Sequence, residues 1–296
     1  MTAPRKLVEL DGIPVEYELV GDGEPVVLPH ARPFVTWYEP VAALLGDRAV
    51  LRYRRAAPDD PAFGIADDAA LCARLLDRLG VVRPHVVGHS YGALVALELA
   101  RQGSVELRSL ALLEPTSIGL VPPDEAADRA APLLGAAETD GPEVAMDLFL
   151  RAVCGPDGPE VLDRLLPGAR AEAAAHADRF FAVELPGAVR WSFAAGDAAG
   201  IGVPVLHASG ADSAARFAAG AELVQEWFPD AQHDVLPGTG HFMMVQVPEA
   251  AAELLERFWR SARSVRPRGR RPARAPRRPV RPSASARAAA PGRRRA

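Results

Sequence analysis

Cysteine is scarce in this chain: Cys72 and Cys154 are the only two in 296 residues. That is too few for a disulfide framework. Cys72 falls on the apolar face of an expected helix, so both read as packing residues rather than ligands or nucleophiles. No apolar run reaches the roughly 18 residues that a membrane-spanning helix needs. The N-terminal stretch Met1-Thr2-Ala3-Pro4-Arg5-Lys6-Leu7-Val8-Glu9 lacks the apolar centre of a secretory signal. These absences imply a cytoplasmic protein with no membrane partner. Metal-ligand clusters, phosphate loops and dinucleotide fingerprints are missing too, so no metal and no cofactor is expected.

Charge of one sign is missing from the C-terminal stretch. From Ser261 to Ala296 there are 13 arginines and no Asp, Glu or Lys. Residues 1–260 therefore keep 21 of the 34 basic residues against all 38 acidic ones, a net charge of −17. The tail 261–296 is rich in Arg, Pro and Ala and has no periodic apolar face, so it is expected to be disordered. A basic arm for nucleic acid is one reading of it. No aromatic residue interleaves with the arginines to stack bases, so a tolerated extension is the preferred one.

What is present alternates between strand and helix. Leu7–Leu10 and Val15–Leu19 read as strands joined by the hairpin signal Asp11-Gly12, followed by Val26–Leu28 and Ala49–Tyr53. Asp67 to Leu79 reads as a helix with Leu71, Cys72, Leu75, Leu76 and Leu79 on one face, acids at its start and Gly80 after it. Further strands are expected at His85-Val86-Val87, Leu107–Leu113, Val203–Ala208 and His233–Leu236, and a last helix runs from Pro248 through Trp259. The fold class is α/β: a mostly parallel eight-stranded sheet with helices on both faces. Residues 1–114 and 190–260 form the core. The Ala/Pro-rich helical stretch 115–189 is inserted after the sixth strand as a lid.

The chemistry centres on Gly88-His89-Ser90-Tyr91-Gly92, between an apolar run and a helix in which Ala93, Ala96, Leu97 and Ala100 share a face. A serine hydroxyl is a poor nucleophile and must be held clear of the backbone, within reach of a base. The turn that does so is strained, and Gly88 and Gly92 leave room for strand and helix to approach. The helix after the turn aims its N-terminal amides at developing negative charge.

With these residues the chain resembles the α/β-hydrolase family from about residue 5 to 260. The resemblance rests on the elbow around Ser90, the loop His30-Ala31-Arg32 after the third strand, and Gly238-Thr239-Gly240-His241. It implies Ser90 as nucleophile and His241 as general base, with His30, His85, His89, His176, His207 and His233 structural or exposed. The resemblance also implies two backbone amides for an oxyanion hole: Tyr91 and Arg32. The family's usual acid lies three residues after a glycine beyond the seventh strand. In Gly210-Ala211-Asp212-Ser213, Asp212 is only two after it, and Ser213 reads as a helix N-cap. Some relatives carry the acid after the sixth strand, where Glu114 stands. Pro115 is expected to hold Glu114 extended. Glu114 is the first choice for the acid and Asp212 the alternative.

A serine at the elbow disfavours haloalkane dehalogenase and epoxide hydrolase chemistry, whose covalent ester needs a carboxylate there. An esterase, lactonase or thioesterase acting on a small, apolar substrate molecule is the expectation. A carbon–carbon hydrolase and a non-catalytic ligand-binding protein are the alternatives. Met146, Phe149, Phe180 and Phe181 are pocket or lid-core residues, and Trp37 and Tyr38 pack on a helix after the Arg32 loop. The sequence does not decide the oligomeric state.

Overall fold

The computed structural model describes residues 5–55 and 60–262. The expected disordered tail lies outside the described residues from position 263 onward. Ser261 and Ala262, assigned to that tail, instead complete the last helix.

Eight strands form one sheet: β1 (Lys6–Leu10), β2 (Ile13–Val20), β3 (Glu24–Leu28), β4 (Arg48–Arg55), β5 (His85–His89), β6 (Ser109–Leu113), β7 (Val205–Gly210) and β8 (Gln232–Leu236). Asp11 and Gly12, at φ 51° and 80°, make the two-residue turn between β1 and β2, with Leu10 opposite Ile13. Both residues sit where a tight hairpin turn needs left-handed backbone. β1–β2 and β2–β4 pair antiparallel and every other pairing is parallel, in the order β1-β2-β4-β3-β5-β6-β7-β8. β5 and β6 are buried at all five positions, because an interior parallel strand is covered on both faces.

The helices before β6 are α1 (Glu39–Leu44), α2 (Ile65–Leu79) and α3 (Tyr91–Gln102). α2 begins two residues before the expected Asp67, because the Asp67 carboxylate accepts the Gly64 N–H at 2.9 Å and caps the helix there. Gly80 at φ 66° ends it. Between β6 and β7 the chain forms α4 (Pro123–Thr139), α5 (Pro142–Cys154), α6 (Gly158–Leu165), α7 (Ala169–Ala175), α8 (Ala177–Arg179), a π-helical turn (Phe180–Glu184), α9 (Leu185–Arg190) and α10 (Ala195–Ala198). α11 (Ala218–Trp227), α12 (Met243–Gln246) and α13 (Pro248–Ala262) complete the chain. α1 packs on α13 and α2 on α3, two groups that cover the two faces of the sheet. Among the described residues no helix is long and apolar enough to cross a membrane. The parallel strands all end at the same edge, so the loops after β3, β5, β6, β7 and β8 meet there.

Candidate active site

Ser90 lies between β5 and α3 at φ 53° and ψ −118°, a region that L residues rarely occupy. Its main chain is pinned on both sides: Ser90 N–H donates to Leu113 O at 3.1 Å, and Ala93 N–H donates to Ser90 O at 3.0 Å. A Cβ on Gly88 would stand 2.3 Å from Gly92 O, and one on Gly92 would stand 2.0 Å from Pro29 O. The helix is thus pressed against both its own strand and the loop after β3. As first residue of α3, Tyr91 has an amide with no intrahelical acceptor.

His241, in the loop after β8, meets Glu114 at the end of β6. Nδ1 of the ring lies 2.6 Å from Glu114 Oε2, and both side chains are 1% exposed. Glu114 Oε1 accepts the Gly210 N–H at 3.1 Å and the Ser213 hydroxyl. Burial by itself would raise the Glu114 pKa. The bond and charge of His241, with the donors Ser213 and Gly210, outweigh burial and hold the carboxyl below its ordinary value. An ionised Glu114 only accepts, so His241 carries its proton on Nδ1 and a neutral ring leaves Nε2 basic. Phe217 stacks on the imidazole at a centroid distance of 4.2 Å.

Two local expectations are corrected here. Glu114 is not extended but sits at φ 43°. Its N–H donates to Ala208 O at 2.7 Å and its carboxylate has three donors, so tertiary bonds hold a conformation that Pro115 alone does not select. Ser213 does not cap a helix, since the following 3₁₀ turn is capped by Ala214 and the hydroxyl is spent on Glu114. Asp212 is exposed and joins the site only through its backbone, whose N–H donates to Thr239 O at 2.9 Å.

The loop after β3 enters a 3₁₀ turn (Arg32–Tyr38) that buries Trp37 and Tyr38, where a helix was expected to carry them. The Arg32 amide points at Glu184 Oε1, 3.3 Å away on the π-helical turn. Glu184 is 1% exposed and pairs with Arg55 Nη1 at 2.9 Å. Arg55 also pairs with Asp68, which accepts the Tyr91 hydroxyl at 2.7 Å. One buried ionic network therefore touches both residues expected to supply oxyanion amides.

A family model described as "Alpha/beta hydrolase family" matches residues 26–254. The chain belongs to this family. A Variovorax paradoxus (strain S110) protein that carries the name carbamate hydrolase RutD is 34% identical over 116 residues, covering 36% of this chain and 44% of that protein. The chain thus matches less than half the length of that relative. Among solved structures, the enol-lactonase from Burkholderia xenovorans LB400 superposes with a TM-score of 0.73 at 22% identity, over 86% of this chain and 99% of that one. A thermophilic esterase from Thermogutta terrifontis superposes with a TM-score of 0.73 at 20% identity, over 88% and 99%. At these identities the structures show a shared fold.

In this α/β hydrolase the aromatic residues of the helical segment pack against the Arg32 loop. Phe34 stacks on Phe149 at 5.6 Å and meets Phe180 edge-on at 5.5 Å, while Phe181 packs on Phe180 and Met146 is buried nearby in α5. His85 bonds Ser109 Oγ at 2.7 Å and stacks on Trp259, where β5 and β6 begin, at the edge of the sheet opposite the site. His207 pairs with the His233 ring, and burial pushes it down to about 4. His30 and His89 are different: both border the site and contact each other at 3.1 Å. Sequence reasoning missed Glu184, Arg55, Asp68 and Ser213. Asp68, as an acid in the first turn of a helix, and Ser213, as a residue before one, carried a signal, and in both that signal reads as capping.

Proposed function

We propose that this hydrolase cleaves a small, apolar ester-like substrate through an acyl-enzyme, with Ser90 as nucleophile, His241 as general base and then general acid, and Glu114 as the orienting carboxylate. The observations that carry this reading are the 2.6 Å contact between His241 Nδ1 and Glu114 and a serine held at φ 53° next to His89, whose ring reaches the His241 carbonyl. His241 Nε2 takes the Ser90 proton as Oγ attacks the carbonyl carbon. The oxyanion that forms is received by the Tyr91 amide and, once Glu184 yields its place, by the Arg32 amide. Collapse of the tetrahedral intermediate expels the alcohol or thiol, protonated by His241, and water then releases the acid by the same steps reversed. The helical segment 115–189 serves as lid over the core 1–114 and 190–260. The names of the structural neighbours, an enol-lactonase and an esterase, belong to the same reaction class.

Treatment with a fluorophosphonate probe followed by peptide mass mapping tests the reading. An adduct is expected on Ser90 and is expected to vanish in His241→Ala. A folded protein that yields no adduct on Ser90 overturns it.

A further inference from the structure

Four groups stand in line between the loop after β3 and His241. Ala31 N–H lies 2.8 Å from His30 Nδ1, His30 Nε2 lies 3.1 Å from His89 Nδ1, and His89 Nε2 lies 2.9 Å from the His241 carbonyl oxygen. The protons follow from the two ends. A main-chain N–H only donates, so His30 accepts at Nδ1 and, as a neutral ring, carries its proton on Nε2. A carbonyl only accepts, so His89 carries its proton on Nε2 and accepts at Nδ1. The two assignments meet at the His30–His89 contact without conflict, and all three bonds run in one direction, from Ala31 to His241.

The line is also uncharged. His30 is 7% exposed and His89 is 0% exposed. Burial, reinforced by the nearby His241, takes His30 down to about 3 and His89 well below the ordinary histidine value. A proton added at Nδ1 of either ring would turn an acceptor into a donor and break the line. Tyr38 clamps the same segments: its hydroxyl accepts the His89 N–H at 2.7 Å and stands 3.1 Å from both Pro29 O and Val87 O.

We propose that His89 is a positioning residue for His241, and that the His30–His89 relay sets the main chain of the base against the loop carrying the Arg32 amide. The proposal rests on the reading of Ser90 and His241 given above. Its physical reason lies in the loop that carries the base. Gly238 (φ 69°) and Gly240 give that loop conformational freedom that would let the imidazole drift. Glu114 holds the ring at Nδ1 and Phe217 holds its face, and the bond from His89 restrains the backbone that both depend on.

Two measurements on the full chain test this. In long-range ¹⁵N–¹H spectra, His30 and His89 are expected as neutral Nε2–H tautomers between about pH 5 and pH 9. A His89 Nδ1–H tautomer, or titration of either ring in that window, overturns the relay. In kinetics with a short ester, His89→Leu is expected to lower kcat about 100-fold with KM little changed, the cost of a misplaced base. His89→Gln keeps a donor toward His241 and is expected to recover kcat to within about tenfold of wild type. A His89→Leu enzyme with wild-type kcat refutes the positioning role; if that variant does not fold, the tautomers of the wild type decide. Fluorophosphonate labelling in parallel keeps the two readings apart. An unlabelled wild type sinks the hydrolase reading and the positioning role with it, whereas labelling alongside an Nδ1–H tautomer at His89 sinks the relay alone.

Discussion

Two carboxylates compete in the sequence for the place beside His241, and side-chain reach separates them. Glu114 accepts from three donors around the histidine, while Asp212 is exposed and engages by its backbone. Glu114→Gln is therefore expected to slow acylation of Ser90 by about 10⁴-fold, the scale of losing the carboxylate that orients a catalytic imidazole. Asp212→Asn is expected to stay within about twofold, as surface changes away from such features do. Burst kinetics with an activated ester measure both. Ser213→Ala removes a charge-assisted bond worth about 1.5–3 kcal/mol to the ionised form. The folded Glu114 carboxyl lies below its ordinary value, so its stabilisation is complete above the ordinary carboxylate range and is lost as pH falls through the folded value. Ser213→Ala moves that folded value up, and urea denaturation at a series of pH values should show stability failing at a higher pH than in wild type.

The elbow is an element-scale device, because its glycines answer to neighbours rather than to the turn itself. Gly92 faces Pro29 O, a residue 63 positions earlier in the chain, where a Cβ would stand at 2.0 Å. Gly92→Ala is expected to cost about 3 kcal/mol, since backbone on both sides must shift. Gly135 in α4 meets nothing within 4 Å, and Gly135→Ala should add about 0.5–1 kcal/mol by helix propensity alone. Equilibrium urea unfolding of the pair gives the contrast. The π-helical turn raises a different matter. Burial, only partly relieved by Arg55 and aggravated by Asp68, pushes the Glu184 carboxyl up. A raised folded value means the ionised side chain weakens the fold, a cost absent at low pH that appears as pH rises through that value. Glu184→Gln should therefore raise Tm at pH 8, with a gain that shrinks toward pH 4.

At the scale of the whole molecule, Arg55 joins parts that the chain keeps far apart. From the end of β4 it reaches Asp68 in α2 and Glu184 in the segment between β6 and β7, and Asp68 holds Tyr91 next to Ser90. Removing this cation leaves two buried carboxylates without their shared partner. Arg55→Met is expected to cost about 3–5 kcal/mol, and adding Asp68→Asn and Glu184→Gln should recover part of it. Urea denaturation of the single and triple variants measures the difference. If the single variant proves as stable as wild type, the network carries no stability.

The succession of strands and helices along the chain, the hairpin at Asp11-Gly12, the elbow and the histidine loop were legible in the sequence, because each rests on local rules: alternation, helical periodicity and turn chemistry. Ser90 and His241 stood out because the residues flanking them announce their backbone. The partners of the histidine did not. Glu114 and Asp212 look alike as strand-end acids, Ser213 reads as a cap, and His30 and His89 read as bystanders. Only the tertiary structure decided among them. A hydrogen bond needs a donor and an acceptor within about 3 Å and in line, and parallel strands bring residues 127 positions apart, such as Glu114 and His241, to that distance by a packing no local pattern records.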